Sequence, residues 1–235
     1  MAIDSHGIIQ ALVNAELLFA HRRHRPADGR RCVVTVSRDC GSQGETVACG
    51  LAERLDLQCF DRVLVDDVAK AIGVEPYLLR QLDENVRGLR TSWLEKLLTS
   101  KSEFSEMYRK TLFNVILGIG RCGGVIVGRG ANFILQGGDV FRVRIVAPFD
   151  IRARYYATQN DMSEQAARMR VKEIDEQRNG FTQSLFGKDI NDPVAYDMIL
   201  NSARLSPQSM VAIIAAALPN CVQLPQGAPS GARQD

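Results

Sequence analysis

A run of apolar and β-branched residues followed at once by a loop with two glycines constrains the fold of this chain most. The run is CVVTV (32–36), and the loop SRDCGSQGET leads into helical spacing from about Thr46 to Leu55. A short apolar run without alternation is typical of a strand buried on both faces, as in a parallel sheet. The segment therefore predicts a strand, a glycine loop and a helix in succession.

Further strands and helices alternate along the rest of the chain. Segments 125–127, 140–146 and 198–200 are expected to form strands, with a short one at 57–60 and a last one at 221–224. Helical spacing or helix-ending residues predict helices at 4–20, 62–72, 76–86, 92–119, 131–136, 149–158, 163–179 and 206–217. This order predicts an α/β fold built on a mostly parallel sheet.

Composition narrows the class of protein. The chain has 235 residues, 46% of them hydrophobic, and a net charge of +2, which predicts one large domain without a nucleic-acid or membrane partner. The six cysteines include no C-x-x-C pair and no metal-ligand spacing. Reduced thiols and a cytoplasmic location are expected.

Three regions divide the chain. Residues 1–31 are an amphipathic helix and a basic linker, and that helix either packs on the domain or forms a homodimer contact. Residues 32–224 form the α/β domain, and the Pro/Gly/Ala-rich tail 225–235 is expected to be disordered.

The glycine loop is a candidate phosphate site. Glycines let the backbone approach an anion, and the free amides and dipole of a helix N-terminus favour a phosphate. Ser42 and Thr46 add hydroxyls for the phosphate or for Mg²⁺, and Arg38 adds a positive charge. However, the G-x-x-x-x-G-K-[ST] pattern is absent and residues 38–55 contain no lysine, so an ordinary glycine turn stays open.

Arginines follow two of the other predicted strands. Arg129 lies between two glycines after strand 125–127, at the edge where open α/β sheets bind ligands. Arg152 and Arg154 follow strand 140–146. The charged helix 163–179 is either solvated with i,i+4 ion pairs or a lid that closes over phosphates. Positive charge of this kind suits phosphoryl transfer.

Asp61 follows the short segment 57–60 at the possible end of a second strand. Its carboxylate would hold Mg²⁺-bound water or a substrate hydroxyl, or it would cap a helix that begins at Arg62. Cys40 lies inside the glycine loop, where burial would make its thiol inert.

Taken together, the chain resembles the cytidylate-kinase-like family of nucleoside monophosphate kinases. The matching pieces are VVTVSRDCGSQGETVACGLAERL (33–55), CFDRVLVDDVAKAIGV (59–74), GVIVGRGANFIL (124–135), VRIVAPFDIRARYY (143–156), EIDEQRNGF (173–181) and DPVAYDMILNSARLS (192–206). The resemblance implies a P-loop kinase fold with a five-stranded parallel sheet and a lid at 150–190. Segment 75–120 matches no piece of the family, but its position suits a helical acceptor-binding insertion. It also implies phosphoryl transfer from ATP, with Mg²⁺, to CMP or a similar small nucleotide.

The resemblance assigns roles by position. Donor phosphates would contact the loop residues Gly41, Ser42, Gln43, Gly44, Glu45 and Thr46, with Arg152 and Arg154 leading into the lid and Thr46 also on the metal. The acceptor would contact Arg129, Asp175 and Arg178, the last two being the family's D-x-x-R. Asp61 and Asn132 are further candidates for the acceptor, from their own positions in the sequence. Arg38, Arg129 and Arg178 are the candidate catalytic residues.

Two departures from the family pattern keep other functions open. Gly44 stands where the family has its phosphate-loop lysine, with Arg38 as the candidate substitute. Gly130 replaces an aspartate after Arg129, and Asn132 is the remaining candidate for a base contact. A non-catalytic nucleotide-binding or regulatory protein is therefore the alternative, and a scaffold whose loop is only a turn is the third.

Overall fold

A computed structural model describes residues 32–61, 103–136 and 140–221. The helices expected at 4–20, 62–72 and 76–86 and the tail 225–235 lie outside these residues, as does the expected homodimer contact. In the described ranges, none of the helices is both long and apolar enough to cross a membrane.

Five parallel strands form one sheet in the order β2-β3-β1-β4-β5. The strands are β1 (Val33–Arg38), β2 (Cys59–Phe60), β3 (Gly124–Val127), β4 (Val140–Val146) and β5 (Met198–Asn201). This sheet confirms the predicted α/β fold with five parallel strands. A last strand was expected at 221–224. This prediction is wrong for Cys221, which is the final residue of the last helix, and 222–224 lie outside the described residues.

Helices cover both faces of the sheet. They are α1 (Gly44–Leu55), α2 (Glu103–Cys122), α3 (Ala131–Ile134), α4 (Phe149–Gln159), α5 (Glu164–Phe186) and α6 (Pro207–Cys221), with a 3₁₀ turn at Pro193–Ala195. Each lies close to a predicted helix, although 92–102 fall outside the described residues. Helix α5 runs through Gly180, where the prediction had stopped, because Phe181 and Thr182 beyond it are buried.

Strand β1 contributes side chains to two hydrophobic clusters of the protein, one on each face of the sheet. Val34 and Val36 pack with α1 and α6, whereas Val33 packs on the α2 side. All six residues of β1 are buried, as the unbroken CVVTV run predicted. Burying each such side chain contributes roughly 2 kcal/mol. This packing fixes where β1 ends, and therefore where the glycine loop begins.

Candidate phosphate-binding site

The glycine loop joins β1 to α1 with two residues in the left-handed region. Gly41 has a φ of 75° and Gln43 a φ of 61°. Within the described part of the chain, no protein acceptor takes the amides of Gly41, Gln43, Gly44 and Thr46. Unmatched amides at a helix N-terminus, next to left-handed backbone, form a concavity that binds anions. The loop therefore has the backbone of a phosphate site.

Both loop glycines are required by close approach. A Cβ on Gly41 would lie well under 3.0 Å from the backbone carbonyl oxygen of Arg152. A Cβ on Gly44 would come equally close to the Cβ of Arg38. Because the stem of Arg38 fills the space beside Gly44, a lysine cannot stand there without moving Arg38. The structure thus explains why the lysine position is a glycine.

Arg38 brings its charge to the same place from the end of β1. Its Nε donates to Oε1 of Glu45 at 2.7 Å, and the residue is 9% exposed. A Cβ on Gly128 would lie well under 3.0 Å from Nη1 of Arg38. The guanidinium therefore lies between the first turn of α1 and the turn that follows β3.

Arg178 reaches the loop from α5. Its Nη1 donates to the backbone carbonyl of Arg38 at 3.0 Å, and its Nη2 to Oε1 of Glu45 at 3.4 Å. Burial opposes ionisation of Glu45, but the two guanidinium groups outweigh it and hold the pKa of this carboxyl below its usual value. Glu45 therefore bridges two arginines beside the open amides.

Asp175 and Arg152 clamp the first half of the loop at Cys40. Oδ1 of Asp175 accepts from the Cys40 amide at 2.8 Å, and Oδ2 pairs with Nη1 of Arg152. The Arg152 guanidinium also donates to the carbonyls of Ala147 at 2.9 Å and Cys40 at 3.0 Å. A side-chain carboxylate thus takes the amide that directly precedes the predicted cradle, which begins at Gly41. Both residues were assigned to ligands from the sequence, and here both contact the loop itself.

A buried ion pair supports this clamp, and the sequence did not reveal it. Nη2 of Arg144 pairs with Oδ1 of Asp39 at 2.8 Å and also donates to Asn191 at 2.8 Å. Nη1 donates to Ser37 at 3.1 Å. Burial raises the pKa of Asp39, although Arg144 and Arg152 oppose that rise. The available signal was an arginine in the middle of the apolar strand VFRVRIV.

The two loop hydroxyls face different ways. Ser42 is fully buried, and its Oγ donates to the carbonyls of Asp39 at 2.9 Å and Ile145 at 3.1 Å. Thr46 is exposed and lines a cleft of about 540 Å³ between α1 and α6. Thr46 is therefore the loop hydroxyl that solvent reaches. Cys40 is buried as predicted, which raises the pKa of its thiol to about 11.

Arg129 and Asn132 lie at the turn after β3. Arg129 has a φ of 55°, and its guanidinium lies over the Phe181 ring, 5.5 Å from the centroid. Asn132 is buried in α3. A Cβ on Gly130 would lie well under 3.0 Å from the Phe186 ring, so an aspartate there would displace this ring. The departure from the family pattern at Gly130 thus has a steric cause.

Two predicted site residues lie apart from the loop. Arg154 is exposed on α4, where its Nε donates to the carbonyl of Asp150 at 3.4 Å. Asp61 is exposed just beyond β2, at the carboxyl edge of the sheet. The described side chains contain no group of three or more His, Cys, Asp or Glu residues arranged to hold a metal ion.

The parallel sheet and the open amides after its central strand define an α/β protein with a candidate phosphate loop. The sequence model of the "Cytidylate kinase-like family" matches residues 33–204, and the chain belongs to this family. It is similar to the cytidylate kinases of Pyrococcus horikoshii (34% identity over 40% of this chain and 48% of the relative) and Natronomonas pharaonis (28%, over 79% and 88%). The chain therefore spans about half the length of several curated relatives that it matches.

One solved structure supports the fold. An uncharacterized protein from Eubacterium ventriosum superposes with a TM-score of 0.64 at 19% identity, covering 81% of this chain and 99% of that protein. At this identity the likeness bears on the fold alone.

Proposed function

We propose that the protein is a nucleotide kinase that transfers a phosphoryl group from ATP to CMP or a similar small acceptor. The observation that carries this proposal is the row of unmatched amides at Gly41, Gln43, Gly44 and Thr46. Membership of the cytidylate kinase-like family supports it. Unmatched first-turn amides are common to helices, and the left-handed backbone of Gly41 and Gln43 directly before α1 is what adds an anion-binding concavity.

The donor phosphates would bind these amides, with Arg38 supplying the charge that a lysine supplies elsewhere. Phosphoryl transfer depends mainly on positioning and charge stabilisation, and Arg38 and Arg178 already meet at Glu45 beside the loop. Mg²⁺ usually binds through substrate phosphates with few protein ligands, and the exposed Thr46 hydroxyl fits that role. When bound, the ion would neutralise developing phosphate charge.

The acceptor would contact Arg129, Asn132 and Asp61, at or near the carboxyl edge of the sheet. Asp175 and Arg178 would join it after exchanging their hydrogen bonds to the loop. In this conformation those bonds go to the Cys40 amide and the Arg38 carbonyl. Movement of α5 would therefore couple donor and acceptor binding, as closing lids do in other enzymes.

A coupled assay of ADP release tests the proposal. ATP with Mg²⁺ is offered together with CMP, dCMP, UMP or AMP, and at least one acceptor is expected to give multiple turnovers. Substituting Arg129→Met should raise the KM of the acceptor more than that of ATP. Absence of ADP with every acceptor, in protein shown to be folded by its thermal unfolding, would overturn the assignment.

A non-catalytic nucleotide-binding protein is the alternative that one observation favours. The Asp175 carboxylate takes the amide of Cys40, which directly precedes the open amides, and the phosphate-loop lysine is missing. This alternative predicts saturable ATP binding in calorimetry without turnover. If no nucleotide raises the melting temperature, the loop is only a turn, since ligands of the native state must stabilise it.

A further inference from the structure

Two thiols outside the phosphate site face each other across α1 and β2. The sulfur atoms of Cys49 and Cys59 are 3.7 Å apart, which is van der Waals contact, in residues ten positions apart. Cys49 is exposed and Cys59 is partly buried, so a small reagent reaches Cys49 from solvent. In the described part of the chain, Cys32 and Cys40 are also free cysteines, and they are partly buried and buried, respectively.

The connection between α1 and β2 keeps the two thiols together. The Leu57 amide donates to the carbonyl of Ala52 at 2.8 Å, and that of Asp56 to Glu53 at 3.2 Å. Cys59 pairs with Val125 in the sheet, which fixes its backbone. A disulfide needs the sulfurs at about 2.05 Å, so closure requires the two side chains to rotate towards each other from their present contact.

We propose that Cys49 and Cys59 form a thiol–disulfide exchange site that takes small disulfides and closes to an intramolecular disulfide. The Cys49 thiolate attacks one sulfur of the small disulfide, forming a mixed disulfide and releasing one small thiolate. The Cys59 thiolate then attacks the Cys49 sulfur, and the second small thiolate leaves. Two protein thiols are oxidised, one small disulfide is reduced to two thiols, and the two thiol protons pass through solvent to them.

The environment of Cys59 sets this order. Burial, with the Cys49 thiol and the Asp61 carboxylate beside it, raises the pKa of Cys59 to about 12. The exposed Cys49 therefore reacts first and Cys59 resolves. The contribution of Cys49 to the raised pKa disappears once the Cys49 sulfur is bonded to the reagent. The site is separate from the amides of the phosphate loop, so it stands whether or not the protein is a kinase.

Oxidised glutathione is the probe, added to the reduced full-length protein without oxygen. Intact mass and non-reducing peptide mapping should show loss of two hydrogens and a peptide pair linking Cys49 to Cys59. Cys59→Ser should stop at a glutathione adduct on Cys49, since it lacks the resolving thiol. Cys32→Ser, the matched control, should behave as wild type, because the thiol in contact with Cys49 is that of Cys59.

A second measurement needs no variant. An arsenical that bridges two thiols, such as phenylarsine oxide, should bind reduced wild-type protein one to one and protect Cys49 and Cys59 together from alkylation. Glutathione adducts without a Cys49–Cys59 link, or alkylation of either thiol in the arsenical complex, would overturn the proposal.

Discussion

The two halves of the glycine loop are built differently. In the first half, Asp39 and Cys40 are held by charged side chains from β4, α4 and α5. In the second half, from Gly41 to Thr46, most amides meet no protein acceptor, although Ser42 bonds inward. The difference shows how a short loop holds open amides. Partly buried ion pairs fix the backbone of the first half, so the second half keeps its position while its amides wait for a ligand.

Removing the buried guanidinium of the first half should have the largest effect on stability. Arg144→Met leaves the Asp39 carboxylate mostly buried without its closest ion-pair partner, and breaking such a pair costs about 3 kcal/mol. Urea unfolding of the two proteins measures the difference. The double variant Arg144→Met with Asp39→Asn should recover part of the loss, because no unpaired charge is left. A loss of under about 0.5 kcal/mol, typical of a neutral surface change, would show that the first half is not held by this pair.

The second-largest effect is expected from adding a side chain at Gly41, where the two halves of the glycine loop meet. Gly41→Ala places a Cβ against the Arg152 carbonyl in left-handed backbone and should destabilise the fold by about 2 kcal/mol. The free energy of ATP binding, measured by calorimetry, should become less favourable by at least the same amount. Gly180→Ala is the matched control, because its Cβ meets nothing within 4 Å and helix propensity favours alanine by about 1 kcal/mol. Equal effects of the two changes would contradict the account.

Removing the guanidinium of Arg38 tests whether the second half of the glycine loop needs a positive charge beside it to bind ATP. Arg38→Met keeps much of the side-chain stem but removes the guanidinium beside Glu45, and the affinity for ATP should fall about tenfold, or 1.4 kcal/mol. Arg121→Met, at the exposed end of α2, is the control and should bind ATP like wild type. Unchanged affinity in Arg38→Met would show that Arg38 does not stand in for the lysine.

The smallest of the expected effects is that of acid, which should weaken the contact between α5 and the glycine loop. The pKa of Glu45 is lowered in the folded protein, so its stabilising contribution is complete above its ordinary value of 4.5 and disappears as pH falls through the lowered pKa. Wild type should therefore be more stable than Glu45→Gln at pH 6, as thermal unfolding would show. A difference that persists in strong acid, or a more stable glutamine variant at pH 6, contradicts the bridge to Arg38 and Arg178.

Local patterns were sufficient for much of the fold. The buried run of β1 and the glycines after it are neighbours in sequence, so their periodicity and turn chemistry predicted strand, loop and helix directly. The end of α5 was missed because a glycine cost of about 1 kcal/mol at Gly180 is outweighed by burying Phe181 and Thr182, which depends on distant packing partners.

The candidate site was harder to predict than the fold. Asp175 meets the Cys40 amide across 135 positions, and Arg144 meets Asp39 across 105. No local periodicity encodes such contacts, so the sequence assigned Asp175 and Arg152 to ligands and gave Arg144 no role. The direction of the Ser42 hydroxyl was hidden for the same reason, since its partner Ile145 lies on another strand.

The central claim is that the open amides of the second half bind phosphate. Titrating ¹⁵N-labelled protein with Mg²⁺ and a non-hydrolysable ATP analogue, and following amide signals by NMR, tests this claim most directly. The largest shifts are expected at Gly41, Gln43, Gly44 and Thr46. Saturable binding that leaves these four amides unmoved, with shifts confined elsewhere, would contradict the account.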